Sequence, residues 1–180
     1  LGRPDWLELA ERSFAWACAH LGEGDRLHHS WRDGRRLPQA FLDDYAAMAL
    51  AAVSLFEHTG DGTYLHRARA WLDAIERDYA DPRGGCFTTA ANAEALVVRP
   101  KSGQDGPVRS GNALALEALA RLAALTGDGS LEQRGLSILR GFAGEIRRMP
   151  AAFCGLLAGA ELLAEPVQLV LVGRPGRTEL

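Results

Sequence analysis

Two kinds of helical pattern alternate along this chain. In one, apolar residues recur every three or four positions with charged residues between them, which predicts a helix with one exposed face. In the other, apolar residues cover nearly every side, which predicts a helix buried on most of its surface. The alternation therefore predicts an outer layer of amphipathic helices packed on an inner layer of apolar ones. The amphipathic helices are predicted at 4–20, 63–77 and 130–148, and the apolar helices at 41–58, 113–125 and 151–163.

A repeated turn divides the chain into similar units. Thr-Gly-Asp-Gly occurs at 59–62 and again at 126–129, each time between an apolar helix and the following amphipathic helix. Glycine and aspartate in this arrangement favour a tight turn. Recurrence of the same unit marks an internal repeat. The predicted fold is all-α: an α/α toroid of the six-hairpin glycosidase-like kind, of which this chain holds about three helical hairpins. A flat solenoid repeat is the alternative.

Segments outside the helices complete the predicted organisation. The connection at 80–112 contains turn and strand signals and is predicted to be a β-containing loop, whereas 22–38 is predicted to be a loop rich in glycine and charge. Alternation at 167–172 predicts a C-terminal strand. The partial toroid is therefore expected to occupy residues 1–165, followed by a strand and tail at 166–180.

The same pattern predicts where a functional site lies. The connections from amphipathic to apolar helices share one end of the fold, opposite the two tight turns, and two of these connections are long. Long loops on a rigid scaffold commonly carry function. That end also carries the N-termini of the apolar helices, whose free N–H groups attract anions and hydroxyl oxygens. The candidate catalytic carboxylates there are Asp44 and Asp105, and the candidate ligand contacts are Trp31, Asp43, Arg99, Lys101, Ser110, Asn112 and Phe153.

Each candidate also has a structural interpretation, and both interpretations stay open at the level of sequence. Asp43 and Asp44 suit the first turn of a helix, and Asp105 lies in an Asp-Gly-Pro turn. The remaining structural interpretations are helix capping for Ser110 and Asn112, solvated loop charge for Arg99, Lys101 and Arg109, packing for Trp31, and an exposed loop pair for His28 and His29.

Composition narrows the classes of partner. A formal net charge of −3 argues against sequence-independent binding to nucleic acid. The three cysteines are far apart without metal-ligand spacing, so buried thiols, no metal or cofactor, and a reducing, cytoplasmic location are expected. No apolar run is long enough to span a bilayer. The chain opens on Leu1, not Met, at a segment typical of a helix start, which we interpret as a cut from a longer protein.

Six short segments follow one another in a recognisable order: FLDDYA at 41–46, GGCFTTA at 84–90, RPK at 99–101, DG at 105–106, SGN at 110–112 and PAAF at 150–153. Together they resemble the YyaL-type family of thioredoxin-domain-containing proteins, which includes the spermatogenesis-associated protein 20 group. The resemblance covers most of residues 41–173. It implies a six-hairpin toroid behind a thioredoxin-like domain, with half of the toroid in this chain. Departures from the family pattern are Cys86, Ser102 and the segment at 107–109.

The resemblance also sets the functional expectations. It implies a carbohydrate-active or carbohydrate-binding domain, which as an enzyme would be glycosidase-like or sugar-epimerase-like. A non-catalytic scaffold for the thioredoxin-like domain or for a partner protein is the alternative. Epimerase toroids carry proton-transferring histidines on their inner helices, and the three apolar helices here have none in their interiors. The expected partners are a sugar-like small molecule and, through the apolar helices, the missing half or a second copy.

Overall fold

A computed structural model describes residues 3–94 and 96–167. Within these ranges the chain is mainly helical, as predicted. Every helix begins and ends within about three residues of its predicted bounds. The helices are α1 (Pro4–Leu21), α2 (Leu42–Thr59), α3 (Gly62–Tyr79), α4 (Gly111–Thr126), α5 (Gly129–Arg148) and α6 (Cys154–Ala164), the last preceded by a 3-10 turn at Pro150–Phe153.

The apolar helices lie beside one another and the amphipathic helices pack against them. Helix α4 lies between α2 and α6, while α3 packs on α2 and α5 packs on α4. Phe14 of α1 contacts α3 edge-on, with ring centroids 5.4 Å from Tyr64 and 5.8 Å from Trp71. The order of neighbours is that of stacked helical hairpins. None of the helices in the described ranges combines the length and the apolar character needed to cross a membrane.

The predicted loop at 22–38 is instead a small antiparallel sheet, so that prediction was wrong. Its strands are β1 (Gly22–Glu23), β2 (Arg26–Arg32) and β3 (Arg35–Gln39), in the order β1-β2-β3. Asp33 and Gly34 join β2 to β3 with positive φ angles of 51° and 77°, as a two-residue hairpin turn requires. This Asp-Gly pair was the available signal, but the charged strands beside it lack apolar alternation.

Strands were predicted in the connection at 80–112, but the structure has its strands in the connection at 22–39. In the described part of that connection, β structure consists of one isolated bridge between Ala80 and Cys86. Turns and side-chain hydrogen bonds fix the remainder. The strand predicted at 167–172 and the tail lie outside the described residues, apart from Val167, which is exposed.

The Thr-Gly-Asp-Gly turns end one helix and begin the next. Gly60 and Gly127 follow α2 and α4 in the left-handed conformation, with φ of 72° and 70°. The next residue, Asp61 or Asp128, caps the following helix by accepting an N–H two residues on. The two predicted turns are therefore confirmed.

Replacement of Asp128 by alanine should lower the melting temperature more than Asp61→Ala. Asp128 also accepts a 2.6 Å hydrogen bond from Arg69. Hydrogen bonds from Ser130 and Arg69 lower the pKa of Asp128 to about 2. The stability that the ionised Asp128 contributes is therefore full when the pH is above its ordinary pKa of 3.8. This contribution is lost as the pH falls toward 2. Thermal unfolding followed by circular dichroism should show a lower melting temperature for Asp128→Ala than for Asp61→Ala at pH 7. The difference between the two melting temperatures should be smaller at pH 3. Equal melting temperatures for both variants at pH 7 would contradict this assignment.

The partly exposed side of α2 and α4 is less apolar than predicted. Arg121 of α4 forms ion pairs with Glu57 of α2 and, at 3.3 Å, with Glu117 of α4. Arg109 forms a second ion pair with Glu117. The charges were visible in the sequence, but the apolar residues around them dominated the pattern. Any partner of this side must therefore accommodate an ion-pair network.

Candidate functional site

The N-termini of α2, α4 and α6 meet at one end of the fold. The N–H of Gly111, at the start of α4, donates to the carboxylate of Asp43 on α2. The carboxylate of Asp105 accepts the N–H of Ser110 at 3.0 Å and the N–H of Gly155 on α6 at 2.6 Å. These bonds join the three helix starts. We call this end the rim and define it by residues 41–44, 110–112 and 153–155.

Asp105 connects two helices through both of its carboxylate oxygens. Oδ1 accepts from Ser110 and Oδ2 accepts from Gly155. Its own N–H donates to the carbonyl oxygen of Ala152 at 2.8 Å. A Cβ atom at Gly155 would approach Oδ1 to 2.9 Å, so glycine allows this close contact. The geometry favours the structural interpretation of Asp105, because both oxygens already accept backbone N–H groups.

Lys101 and Arg99 turn their charges inward. The Nζ atom of Lys101 donates to the buried carboxylate of Asp81 at 2.8 Å and to the Gly84 carbonyl at 2.7 Å. The guanidinium of Arg99 donates to the Thr89 carbonyl and lies 4.2 Å from the Phe87 ring centroid. These contacts hold the connection between α3 and α4 in place. The alternative of solvated loop charges does not describe either residue.

Ser110 and Asn112 have different structural roles. Ser110 caps α4, because its Oγ accepts the Ala113 N–H at 3.2 Å. Asn112 is buried and holds the preceding connection: its side chain accepts from the Cys86 N–H at 2.8 Å and donates to the Cys86 carbonyl at 2.9 Å. The cap prediction is confirmed for Ser110. For Asn112 the structure shows a bridge between segments.

Phe153 and Trp31 were both predicted to form walls of the site. Phe153 is fully buried and packs against Phe142, with ring centroids 6.4 Å apart. Trp31 lies on β2 and packs on the end of α1, with its ring centroid 6.0 Å from that of Trp16 and 5.1 Å from that of His20. Trp31 remains 39% exposed, so its ring can still contact a ligand.

Asp43 and Asp44 follow each other in α2 but face different neighbours. Asp44 accepts the backbone N–H of Phe41 at 2.8 Å, as expected of a residue in the first helical turn. Asp43 reaches across to α4. Its partial desolvation and then the adjacent charge of Asp44 raise the pKa of Asp43, while the Gly111 N–H opposes the rise. Capping of α2 therefore explains Asp44, whereas its raised pKa makes Asp43 easier to protonate than an ordinary aspartate.

His29 reaches the rim from the sheet, and its pairing with Asp44 is a contact that the sequence did not indicate. Its Nδ1 atom lies 2.9 Å from Oδ2 of Asp44, and its ring meets Phe41 edge-on at 4.9 Å. His28 occupies the opposite face of β2, where its Nε2 lies 3.4 Å from Glu23. The exposed-loop interpretation of this pair was wrong because a strand separates the two side chains. The Asp-Gly turn after β2 was the signal for that strand.

The cysteines differ in environment. Cys86 is buried, Cys18 is partly buried and Cys154 is exposed, so the prediction of buried thiols was wrong for Cys154. Burial raises the pKa of the Cys86 thiol to about 12, which makes it a poor nucleophile. Across residues 3–94 and 96–167, no three His, Cys, Asp or Glu side chains are grouped so that they could hold a metal ion.

Comparison with known proteins finds relatives in one group. No protein-family model matches the chain. The chain is 29% identical over 139 residues to spermatogenesis-associated protein 20 of Mus musculus, a match that covers 75% of this chain and 18% of the mouse protein. The human protein is 29% identical over 139 residues, covering 74% of this chain and 17% of the relative. The match therefore spans less than a fifth of the relatives' length.

Proposed function

The chain belongs to the spermatogenesis-associated protein 20 group, and from that premise we propose that it is part of a carbohydrate-active or carbohydrate-binding α/α-toroid domain. The site of this domain is the rim. In the longer protein, a thioredoxin-like domain and the other half of the toroid complete the molecule. The stacked order of the helices supports this architecture, since each apolar helix has the next apolar helix as its neighbour.

The observation that carries the proposal is the pair of carboxyl groups at the start of α2. Asp43 and Asp44 stand next to the first turns of two helices, where N–H groups can donate to the hydroxyl oxygens of a sugar. A carboxyl group with a raised pKa can also donate a proton, which suits Asp43 for acid chemistry. Phe41 and Trp31, exposed by 38% and 39%, offer ring faces to the apolar side of a sugar.

The candidate residues divide between two roles. Asp43, Asp44 and Trp31 contact the ligand, with Asp43 as the proton donor and Asp44 as the second candidate catalytic carboxylate. Asp105 positions the starts of α4 and α6, because its two oxygens hold Ser110 and Gly155. The residues that shape the rim by fixing the connection before α4 are Arg99, Lys101, Ser110, Asn112 and Phe153.

One observation favours a second candidate function. Six of the nine predicted site residues direct their functional groups or rings into the protein: Arg99, Lys101, Asp105, Ser110, Asn112 and Phe153. Such a rim suits a non-catalytic scaffold for the thioredoxin-like domain or a partner protein. The exposed Leu157 and Leu162 of α6, together with the ion pairs of Arg121, would then meet the other half of the toroid or a second copy.

A saccharide panel tests the two candidates. Thermal unfolding of the chain with mono- and disaccharides should show a higher melting temperature with at least one sugar, because ligand binding to the folded state stabilises it. Asp43→Asn and Asp44→Asn should lose that increase. Glu132→Gln, a matched change to an exposed carboxylate at the start of α5, should keep it. The scaffold function is supported if no sugar stabilises the wild-type chain.

A further inference from the structure

We propose that two copies of this chain associate head to tail, with α1 of each copy packed on α6 of the other. This dimer deepens the proposed function and rests on it, because the six-hairpin architecture comes from the proposed toroid. Two exposed faces make the contact. The α1 face consists of Trp6, Leu9, Ala10 and Ser13. The α6 face consists of Leu157, Ala158 and Leu162.

The internal repeat shows what the α1 face is built to contact. The amphipathic helices α1, α3 and α5 can be aligned on their N-cap residues, Arg3, Asp61 and Asp128. The residues seven and ten positions after the N-cap are buried in α3 and α5 but exposed in α1. These pairs are Ala68 and Trp71, Gly135 and Ile138, and Ala10 and Ser13. Since α3 packs mainly on α2 and α5 mainly on α4, α1 exposes the face that its equivalents bury on an apolar helix.

The space for an apolar helix is open beside α1. A groove of about 540 Å³ lies between α1 and α2, lined by Trp6 and Ala10 on one side and Leu55 on the other. Gly135 of α5 is the equivalent of Ala10, and a Cβ atom added there would come within 3.2 Å of Leu116 of α4. A leucine of the neighbouring apolar helix therefore fills, beside α5, the position that the described residues leave open beside α1.

Helix α6 carries the complementary face. It is the apolar helix at the other end of the row and packs on α4 and α5. Leu157 and Leu162 are each 41% exposed, and Ala158 lies exposed between them. An amphipathic helix follows and covers both α2 and α4. In the described part of the chain, which extends to residue 167, no such helix covers α6. The α1 of a second copy has the face that this position takes elsewhere in the fold.

The packing inside the chain also sets the orientation of the two copies. A tight turn joins α2 to α3 and α4 to α5, so each amphipathic helix runs antiparallel to the apolar helix on which it packs. The same arrangement of α1 on α6 places the end of α1 beside the start of α6. The rims of both copies then open on the same side of the dimer. The partner copy therefore contributes a second set of rim residues to the proposed site.

The contact joins two different faces, so the assembly either closes into a ring or continues as an open chain of copies. Each copy offers one α1 face and one α6 face. In a toroid of six hairpins, two copies of three hairpins use all four faces and close the ring. Closure also removes both apolar faces from water, which favours association. We therefore expect a dimer and no larger assembly.

Sedimentation equilibrium of the chain measures the association. The wild type should be a dimer. Leu9→Glu in the α1 face and Leu157→Glu in the α6 face should each raise the dissociation constant by about 100-fold or more, because each places an unpaired carboxylate in both contacts. Val98→Glu adds the same charge at a side chain that is 75% exposed on the connection before α4. This matched control should leave the dissociation constant unchanged, and circular dichroism checks that every variant is folded.

A photo-crosslink identifies the two faces independently of the charged variants. Trp6 is replaced by p-benzoylphenylalanine, which keeps an aromatic side chain, in an equal mixture of 14N- and 15N-labelled chains. Mass spectrometry should find links between the two isotopic forms, from position 6 of one copy to residues 157–165 of the other.

Three results would overturn the dimer: a wild-type chain that stays monomeric, a dimer that neither Leu9→Glu nor Leu157→Glu weakens, or links from position 6 to a segment outside α6. The saccharide panel separates this outcome from the proposed function. A sugar that stabilises a monomeric chain would overturn the dimer and leave the carbohydrate site standing. A dimer that no sugar stabilises would leave the α1–α6 contact standing without that site.

Discussion

Gly141→Ala in α5 should destabilise the chain by about 3 kcal/mol, because α5 has no room for a methyl group at this position. Gly84 crosses Gly141 so closely that a Cβ atom there would collide with the Gly84 carbonyl group. The backbone at Gly84 cannot easily move away from α5. Its φ is 99°, and the N–H of the next residue, Gly85, donates to the Ser137 carbonyl at 3.2 Å. The substitution must therefore separate α5 from the connection that carries Lys101 and Asp105.

Gly144→Ala is the matched control, three residues further along the same helix. A Cβ atom at Gly144 meets no other atom within 4 Å. Alanine favours the helix over glycine, so this variant should gain about 1 kcal/mol. Urea unfolding of both variants measures the two free energies. A loss of similar size at both positions, or no loss at Gly141, would show that the crossing of Gly84 over α5 is not close.

Lys101→Met should cost about 3 kcal/mol, because it leaves the buried carboxylate of Asp81 without its main partner. The Asp81 side chain is 3% exposed, and Nζ of Lys101 lies 2.8 Å from its Oδ2. Arg83→Met provides the control: Arg83 pairs with the same carboxylate at 3.3 Å, but its side chain is 84% exposed. Exposed pairs contribute little, so the control should change stability by less than about 0.5 kcal/mol. Equal losses in the two variants would contradict this assignment of the two partners.

The same pair gives the stability a defined pH dependence. The hydrogen bond from Lys101, followed by that from the Arg83 N–H, holds the pKa of Asp81 well below its ordinary value of 3.8. A lowered pKa in the folded state contributes stability above the ordinary value, and that contribution is lost as the pH falls below it. The difference in free energy of unfolding between the wild type and Lys101→Met should therefore be largest at pH 6 and should decrease below about pH 4. Urea unfolding across this range measures it.

The helical part of the fold was accessible from sequence because its signals are local. Thr-Gly-Asp-Gly encodes a left-handed glycine and a capping aspartate in four consecutive residues, and both turns form as expected. The sheet at 22–39 was missed because its strands are rich in charged residues and do not alternate between apolar and polar positions. The Asp33-Gly34 turn was the sequence signal for the hairpin. Leu27 is the buried apolar residue of β2, and a single buried position gives no period to detect.

The roles of the site residues were harder to predict, because they depend on contacts between residues that are distant in sequence. Asp105 was predicted in an Asp-Gly-Pro turn at the end of the fold that carries the starts of the apolar helices. Nothing local shows that Gly155, 50 residues later, donates its N–H to the second carboxylate oxygen of Asp105. The same holds for Lys101, whose partner Asp81 lies 20 residues earlier. His29 joins Asp44 only because the missed sheet folds over the start of α2. Sequence thus located the rim, and tertiary contacts decided which of its residues remain free to bind a ligand.

Chemical-shift mapping tests the central claim, that the rim is a sugar site. A saccharide that stabilises the chain is titrated into a 15N-labelled sample, and 1H–15N spectra report which backbone amides respond. We predict that the largest shifts fall at 41–44, at 110–111 and at His29 and Trp31. Shifts concentrated at the opposite turns, 59–62 and 126–129, would contradict this claim, as would shifts centred on the apolar groove of about 540 Å³ between Trp6 of α1 and Leu55 of α2.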